Sequence, residues 1–320
     1  MKKILCVAAA ILLLLFTAGC SNNYIRDYSP TKNFNDTECA LYTLTKKDRA
    51  TNTAGQGGTY KTSIQKTNEN QPVTAYGIEN DYIAGYIIEN TYRYDDNSMP
   101  EGEEGYNPEL VTVITSRVLV AENSGQVFQP LKAYRYVNSY IYEGTDITPV
   151  NLEYEITSAY TGNDYRSTVN DISGNSGLSD TYLGEIPTPY ADNEQLFYAV
   201  RACSDLCEEY ITYFYSPNAA DAKTHYLRLN IDEGIRQLTV KEKTFDCYYA
   251  NLGISASDYK TGPAMELYII NGEFDTAVKG KFILARIIQH STEYYVKDNE
   301  LKAREVSMQY DLADFRNYIF

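Results

Sequence analysis

The stretch Leu152-Glu153-Tyr154-Glu155-Ile156-Thr157-Ser158-Ala159-Tyr160 puts Leu152, Tyr154, Ile156 and Tyr160 on one side of an extended chain and Glu153, Glu155 and Thr157 on the other. A period of two belongs to a strand with one face buried and one wetted, the usual state of an antiparallel sheet. Working outward, strands rich in β-branched residues and tyrosine are expected at Val111 to Val120, Ala133 to Tyr142, Tyr226 to Ile231, Gln237 to Val240, Met265 to Ile270, Phe282 to Ile288 and Arg304 to Leu312. Asn271-Gly272 marks a turn after one of them. One helix is expected near the middle. Asp192 can cap a segment in which Leu196, Val200 and Cys203 recur at three- and four-residue steps, so the reading is a helix from Asn193 to Cys203 and a strand from Glu209 to Ser216, ended by Pro217. If the helix ran on, Cys203 and Cys207 would share its buried face. The fold class is therefore mainly β (β-rich α+β), with antiparallel sheets in a curved half-barrel or sandwich and one central helix.

The chain has 320 residues, 43 % of them hydrophobic and 22 % charged, enough to bury one or two cores. Thr51 to Val73, Asp95 to Pro108 and Thr161 to Asn193 read as linkers or long loops, the last through Ser173-Gly174-Asn175-Ser176-Gly177 and Pro187-Thr188-Pro189. The expected division is a leader at 1–19, a flexible tether at 20–35, a β-rich half at 36–165, a linker or long loop at 166–192 and a second β-rich half at 193–320, or one continuous domain across both halves. No fixed-period repeat argues for a propeller or solenoid, and no alternation of strand and helix argues for a two-lobed α/β solute-binding protein.

Charge narrows the partners. Against 43 Asp+Glu stand 28 Lys+Arg, a formal −15, and nucleic acid is excluded because phosphate binding needs a basic face. Thirty-two tyrosines and no tryptophan give strand-favouring rings with polar tips, suited to a wet extracytoplasmic surface.

The leader carries Lys2 and Lys3, an uncharged apolar run from Ile4 to Phe16, and then Thr17-Ala18-Gly19 before Cys20. The run is shorter than the roughly 20 residues a membrane-spanning helix needs, so it reads as a removable export segment. Ala18-Gly19-Cys20 resembles the lipobox of bacterial lipoproteins, with Thr17 where that motif most often has leucine. The resemblance implies cleavage before Cys20, diacylglycerol and further acylation on Cys20, and an extracytoplasmic protein anchored on the outer face of the cell membrane or in the outer membrane. Ordinary signal-peptidase cleavage after Gly19 is the plainer alternative. Losing 1–19 removes two lysines and no acid, so the formal charge goes from −15 to −17. Such a chain repels anionic headgroups, and the lipid alone would hold it at the bilayer.

Of the remaining cysteines, Cys39, Cys203, Cys207 and Cys247 allow three pairings that spacing does not choose between, or buried free thiols. They lack zinc-knuckle spacing, and no metal or cofactor is expected. There is no H-E-x-x-H, G-x-S-x-G or phosphate-cradling glycine loop, and with only His225 and His290 the His-dependent nucleophile systems have little to work with. No catalytic residue is therefore assigned. Asp95, Asp96, Glu101, Glu103 and Glu104 could offer oxygens to calcium, but Gly102 and Gly105 make a solvated charge run the simpler reading. Tyr134, Tyr136, Tyr140 and Tyr142 form a same-face ladder that can stack on sugars, line a groove for an extended peptide, or pack across strands.

Glu194 to Arg201 between long strands, with a terminal Met308-Gln309-Tyr310-Asp311-Leu312, is similar in pattern to the half-barrel domains of the lipoprotein-carrier (LolA-like) type. The resemblance covers roughly Val73 to Leu312 and implies a curved sheet with helices in its mouth that holds an apolar ligand or a partner. The expectation is a membrane-anchored lipoprotein acting as a binding or structural module for an apolar, glycan or peptide ligand. The alternative is an extracellular carboxylate-dependent hydrolase such as a glycosidase.

Overall fold

The computed structural model describes residues 34–52, 54–67, 73–75, 78–80, 84–95, 107, 110–122, 129–142, 149–175, 181–186, 190–202, 209–217, 222–253, 265–275, 278–297 and 300–318. Its strands in chain order are β1 (Thr37–Asp48), β2 (Ala54–Lys66), β3 (Val73–Ala75), β4 (Ile78–Asn80), β5 (Gly85–Asp95), β6 (Val111–Ala121), β7 (Gln129–Tyr142), β8 (Pro149–Thr161), β9 (Asp164–Asp171), β10 (Thr181–Glu185) and β11 (Tyr190–Asp192). A 3-10 turn (Asn193–Gln195) leads into the short helix α1 (Leu196–Arg201). Then come β12 (Glu209–Pro217), β13 (Ala222–Val240), β14 (Lys243–Gly253), β15 (Met265–Ile270), β16 (Glu273–Asp275), β17 (Val278–Lys281), β18 (Leu284–Lys297) and β19 (Glu300–Arg316).

Fifteen strands form one sheet in the order β10-β9-β8-β7-β6-β5-β2-β1-β19-β18-β15-β14-β13-β12-β11, and β3-β4 and β16-β17 form two small hairpins. Neighbours are antiparallel except the edge pair β11-β12. The expected fold class is therefore the observed one: mainly β, antiparallel, with one short helix. Laid flat, such a sheet would put its edges about 67 Å apart at the usual strand spacing. Yet its two edge strands are consecutive in sequence, and the five steps from Glu185 to Tyr190 span at most about 18 Å. The sheet must curl until its edges nearly meet. One bond fastens this closure at the β8-β9 turn, where Tyr190 Oη at the start of β11 donates to the Gly162 carbonyl at 2.7 Å; beside it the Ile186 amide donates to the Asn163 carbonyl at 2.7 Å and extends the β9-β10 ladder by one step.

The curled sheet wraps α1. Leu196 and Val200 pack with β1, β14, β15, β18 and β19 through Ala40, Leu44, Leu252, Leu267, Ile287 and Leu312. One turn round the helix, Tyr198 and Ala202 pack with β2, β5 and β6 through Ile64, Tyr86, Ile88 and Val118. Stacked rings fill the space between: Tyr60 lies 4.2 Å from Tyr92 and 5.5 Å from Tyr42, with Tyr310 edge-on at 5.7 Å. Burial holds the hydroxyls of Tyr42, Tyr60, Tyr92, Tyr198 and Tyr310 well above the usual phenol range, so they remain neutral donors.

The helix expectation is met closely, with Asp192 as the cap: its Oδ1 accepts the Glu194 amide at 2.9 Å. Cys203 and Cys207 lie outside the described residues, while Cys39 and Cys247 are buried and burial pushes the Cys247 thiol up to about 11. Three readings need correction. Thr51 to Val73 is not a loop, because β2 occupies 54–66 and buries Tyr60, Thr62 and Ile64. Likewise 166–192 is not a linker but holds most of β9, all of β10 and β11, and the buried Ile186. The runs 226–231 and 237–240 are one strand, β13, bulged between Ile231 and Ile235 where Gly234 takes φ +100°. At the end of the expected tether, Phe34 packs against Tyr86 and Tyr198.

Candidate functional site: a polar groove on the outer sheet face

Register across five consecutive strands decides which side chains share the outer face. One row runs Lys61, Thr91, Thr115, Tyr136, Glu155 across β2, β5, β6, β7 and β8. The adjacent row runs Ser63, Glu89, Arg117, Tyr134, Thr157. All of these but Thr157, together with Asn90 and Ser116 between the rows, line an open groove of about 520 Å³, within the range of roughly 300–1,000 Å³ typical of ligand sites.

The tyrosines lean along β8. Tyr134 Oη donates to Glu155 Oε1 at 2.8 Å, and Tyr136 Oη donates to Glu153 Oε1 at 2.9 Å. Each ring is thereby pinned at its far end, and burial followed by the Glu153 bond keeps the Tyr136 hydroxyl protonated. Glu155 also accepts from Asn170 Nδ2 at 3.2 Å on the β9 side. Arg117 is ion-paired with its row neighbour Glu89. The groove thus carries two cations, Lys61 and Arg117, against two carboxylates, Glu89 and Glu155, and is formally neutral. All five strands are interior to the sheet, so their backbone groups are engaged in ladders on both sides and the hydrogen-bonding groups left for a ligand are side chains.

Beneath it, the sheet is tied to the segment that caps α1. Asn90 Nδ2 donates to the Glu194 carbonyl at 2.8 Å and to Ser116 Oγ at 3.0 Å, and Ser116 Oγ donates to Glu194 Oε2 at 2.7 Å. Asn90 Oδ1 accepts from Tyr60 at 2.9 Å and Thr62 at 2.6 Å, while Arg135 Nε lies 3.6 Å from Glu194 Oε1. Asp192, bonded also to the Tyr160 hydroxyl, has its carboxyl raised to about 6, first by burial and then by the Glu194 charge beside it. This buried network is enclosed between sheet and helix, and its carboxylates act as caps and anchors.

The tyrosine ladder divides. Tyr134 and Tyr136 reach the groove, Tyr140 does not line it, and the Tyr142 side chain lies outside the described residues. The polar partners Lys61, Ser63 and Glu89 escaped sequence reading because β2 and β5 were not recognised as strands, although Ile64, Tyr86 and Ile88 carry the period, and Arg117, on the expected strand β6, was missed because its partner Glu89 sits on one of those strands. His290 Nε2 lies 2.8 Å from Glu266 Oε1, and Tyr249 donates to Glu266 Oε2 at 2.7 Å under the Arg236 guanidinium, 3.6 Å from the Tyr249 ring centroid. His225 sits in β13 opposite Phe214, its side chain outside the described residues. Cys20 and the acidic run Asp96, Glu101, Glu103 and Glu104 also lie outside them, and only Asp95, at the end of β5, is described. Among the described residues no cluster of three or more metal-ligating side chains occurs, and no helix is long and apolar enough to cross a membrane.

No family model matches the chain, and no curated protein matches it. Among solved structures, the crystal structure of a β-barrel-like protein of a domain of unknown function, DUF1849, from Brucella abortus is similar with a TM-score of 0.49 and 10 % sequence identity, covering 90 % of this chain and 100 % of that one.

Proposed function

We propose that this chain is an extracytoplasmic binding module, tethered to a membrane through an acylated Cys20, whose ligand is read by side chains in the outer groove. The observation that carries the binding reading is the groove of about 520 Å³ with two tyrosines pinned by glutamates, presented on a sheet braced from behind by α1. The interior is a poorer host, because Tyr42, Tyr60, Tyr92 and Tyr310 already stack where an apolar ligand would lie. Retaining glycosidases need two carboxyls about 5 Å apart and inverting ones up to about 9.5 Å. Of the two carboxylates that line the groove, Glu89 on β5 and Glu155 on β8 lie three strands apart, about 14 Å at the backbone, and Glu89 is neutralised by Arg117; Glu153, two residues from Glu155 on the same face of β8, lies outside the lining and accepts the Tyr136 hydroxyl. That spacing favours binding over hydrolysis.

The test is occlusion. Thr115, half-buried at the centre of its row between Thr91 and Tyr136, is replaced by tryptophan. Residues 21–320 with and without Thr115→Trp are compared on one array of immobilised oligosaccharides, peptides and lipids, with far-UV circular dichroism to confirm an unchanged fold. A ligand retained by the parent and lost by the variant is expected. If every ligand the parent retains is bound equally by the variant, the groove is not the site.

A further inference from the structure

We infer that the groove binds a neutral oligosaccharide, a deepening of the binding-module reading that rests on it. Three properties of the lining select among ligand classes. First, its charges balance: Lys61 and Arg117 offset Glu89 and Glu155, and Arg117 is already paired with Glu89. An anionic or cationic ligand would find no net complement and would have to break that pair, whereas a neutral one leaves it intact.

Second, the lining offers no unpaired main-chain groups. An extended peptide is ordinarily held by backbone hydrogen bonds to an unpaired sheet edge, with pockets for alternate side chains. Here the groove crosses the middle of the sheet, where β5, β6 and β7 each have a partner strand on both sides. What remains are hydroxyls, carboxylates and a guanidinium, groups that exchange hydrogen bonds with sugar hydroxyls in several directions at once.

Third, the apolar surface on offer is aromatic and planar. Tyr134 and Tyr136 are two apart on β7, so they project from the same face, and their Oη bonds to Glu155 and Glu153 draw both rings across β8. A ring fixed at both ends presents its face without losing rotamer freedom on binding. The C–H face of a pyranose matches such a surface, while an acyl chain would leave the surrounding polar groups desolvated and unmatched. The two rows cross five strands, about 19 Å, which is the length of a short chain of sugars and exceeds a single one.

Calorimetric titration of residues 21–320 with neutral tetrasaccharides (cellotetraose, maltotetraose, mannotetraose and chitotetraose), with tetragalacturonate as the anionic probe and tetralysine as the cationic one, tests the assignment. At least one neutral tetrasaccharide should bind, with an affinity changing less than about twofold between 50 and 500 mM NaCl, as screening hardly touches an uncharged ligand. Tyr136→Ala should weaken that binding at least about tenfold, a loss consistent with removal of a buried aromatic contact, whereas Tyr136→Phe, which keeps the ring, should weaken it less than about threefold. Tyr249→Phe, in the distant Glu266 cluster, serves as the control and should change nothing. If instead a charged probe binds and loses affinity in Tyr136→Ala, the neutral-sugar assignment falls while the groove remains the binding site. If no neutral tetrasaccharide binds at about 10 mM, the assignment falls as well. If probes bind but none responds to Tyr136→Ala or Thr115→Trp, the assignment and the groove reading fall together.

Discussion

Asp192 concentrates the tension of the fold into one side chain. It caps the turn before α1, takes the Tyr160 hydroxyl on its other oxygen, and is 2 % exposed beside Glu194. Burial and that neighbour raise its carboxyl from 3.8 to about 6. A carboxyl whose folded pKa exceeds its unfolded one holds its proton more tightly in the native state, so its contribution grows as pH falls from about 6 toward about 4 and is lost as pH rises through 6. The difference corresponds to about 3 kcal/mol. Asparagine can keep both contacts, with Oδ1 accepting the Glu194 amide and Nδ2 donating to Tyr160. Asp192→Asn should therefore gain stability relative to the parent by about 2–3 kcal/mol between pH 4 and pH 7.5, as read by urea unfolding at both values. A difference independent of pH would show that folding leaves the Asp192 carboxyl unshifted. At the other end of the chain, the lipobox-like Ala18-Gly19-Cys20 makes a separate prediction for a single atom. Cys20→Ala, expressed in a bacterial host, should remain unprocessed or leave the membrane fraction. Unchanged mature size and unchanged fractionation would end the lipid-anchor proposal.

At the scale of elements, α1 has only the six residues Leu196–Arg201, too few to stand alone, so tertiary contacts must hold it. Besides its apolar faces it has one ionic anchor. Arg201 Nη2 donates to Glu38 Oε2 at 2.8 Å and its Nε to the Lys281 carbonyl at 3.3 Å, with the guanidinium over the Phe34 ring at 4.7 Å. Glu38 is fully buried, held also by the Asn35 amide and side chain. Arg201→Met should destabilise the protein by about 3–5 kcal/mol by leaving that carboxylate without its cation, and adding Glu38→Leu should recover much of the loss. A single-variant cost below about 1 kcal/mol would show that water reaches Glu38. Elements of this kind were only partly legible beforehand. The strands at Met265 and Arg304 announced themselves because every second residue is apolar, and the strand at Val111 through its run of β-branched residues. β2 was hidden because Gly57 and Gly58 read as a loop; in the sheet Gly58 packs so tightly on β5 that an added Cβ would sit 2.1 Å from the Arg93 carbonyl oxygen. β9 was hidden because the inner residues of Asp164–Asp171 include Ser167, which bonds Ser158 Oγ at 2.7 Å, where an apolar side chain would have signalled a strand. The groove was half legible for the same reason: its tyrosine strand was readable, while the two strands carrying Lys61 and Glu89 were not.

The whole molecule turns on where the two β-rich halves join. β1, the first described strand, pairs with β2 on one side and with β19, the last, on the other, from Cys39 opposite Arg316 to Asp48 opposite Val306. The halves are thus continuous through a ladder between the two ends of the sequence, and α1 fills the core of both, with Leu196 and Val200 in one cluster and Tyr198 and Ala202 in the other. Neither half can complete its interior alone: strands β2 to β8 lack the helix that covers Ile64, Ile88 and Val118, and the later strands lack β1, whose Ala40, Tyr42 and Leu44 close their core. Two consequences separate this arrangement from a pair of domains on a linker. Residues 34–186 expressed alone should not give a cooperative unfolding transition, while residues 21–320 should unfold in a single one, with far-UV circular dichroism and near-UV tyrosine signals coincident in urea. Coincidence is the informative part, because the stacked Tyr42, Tyr60, Tyr92 and Tyr310 bridge strands from both halves, so their near-UV signal reports the seam itself. Two separated transitions, or a folded 34–186 fragment, would mean that the β1-β19 ladder opens before the halves melt, and the groove strands β2 to β8 would then form an independent unit.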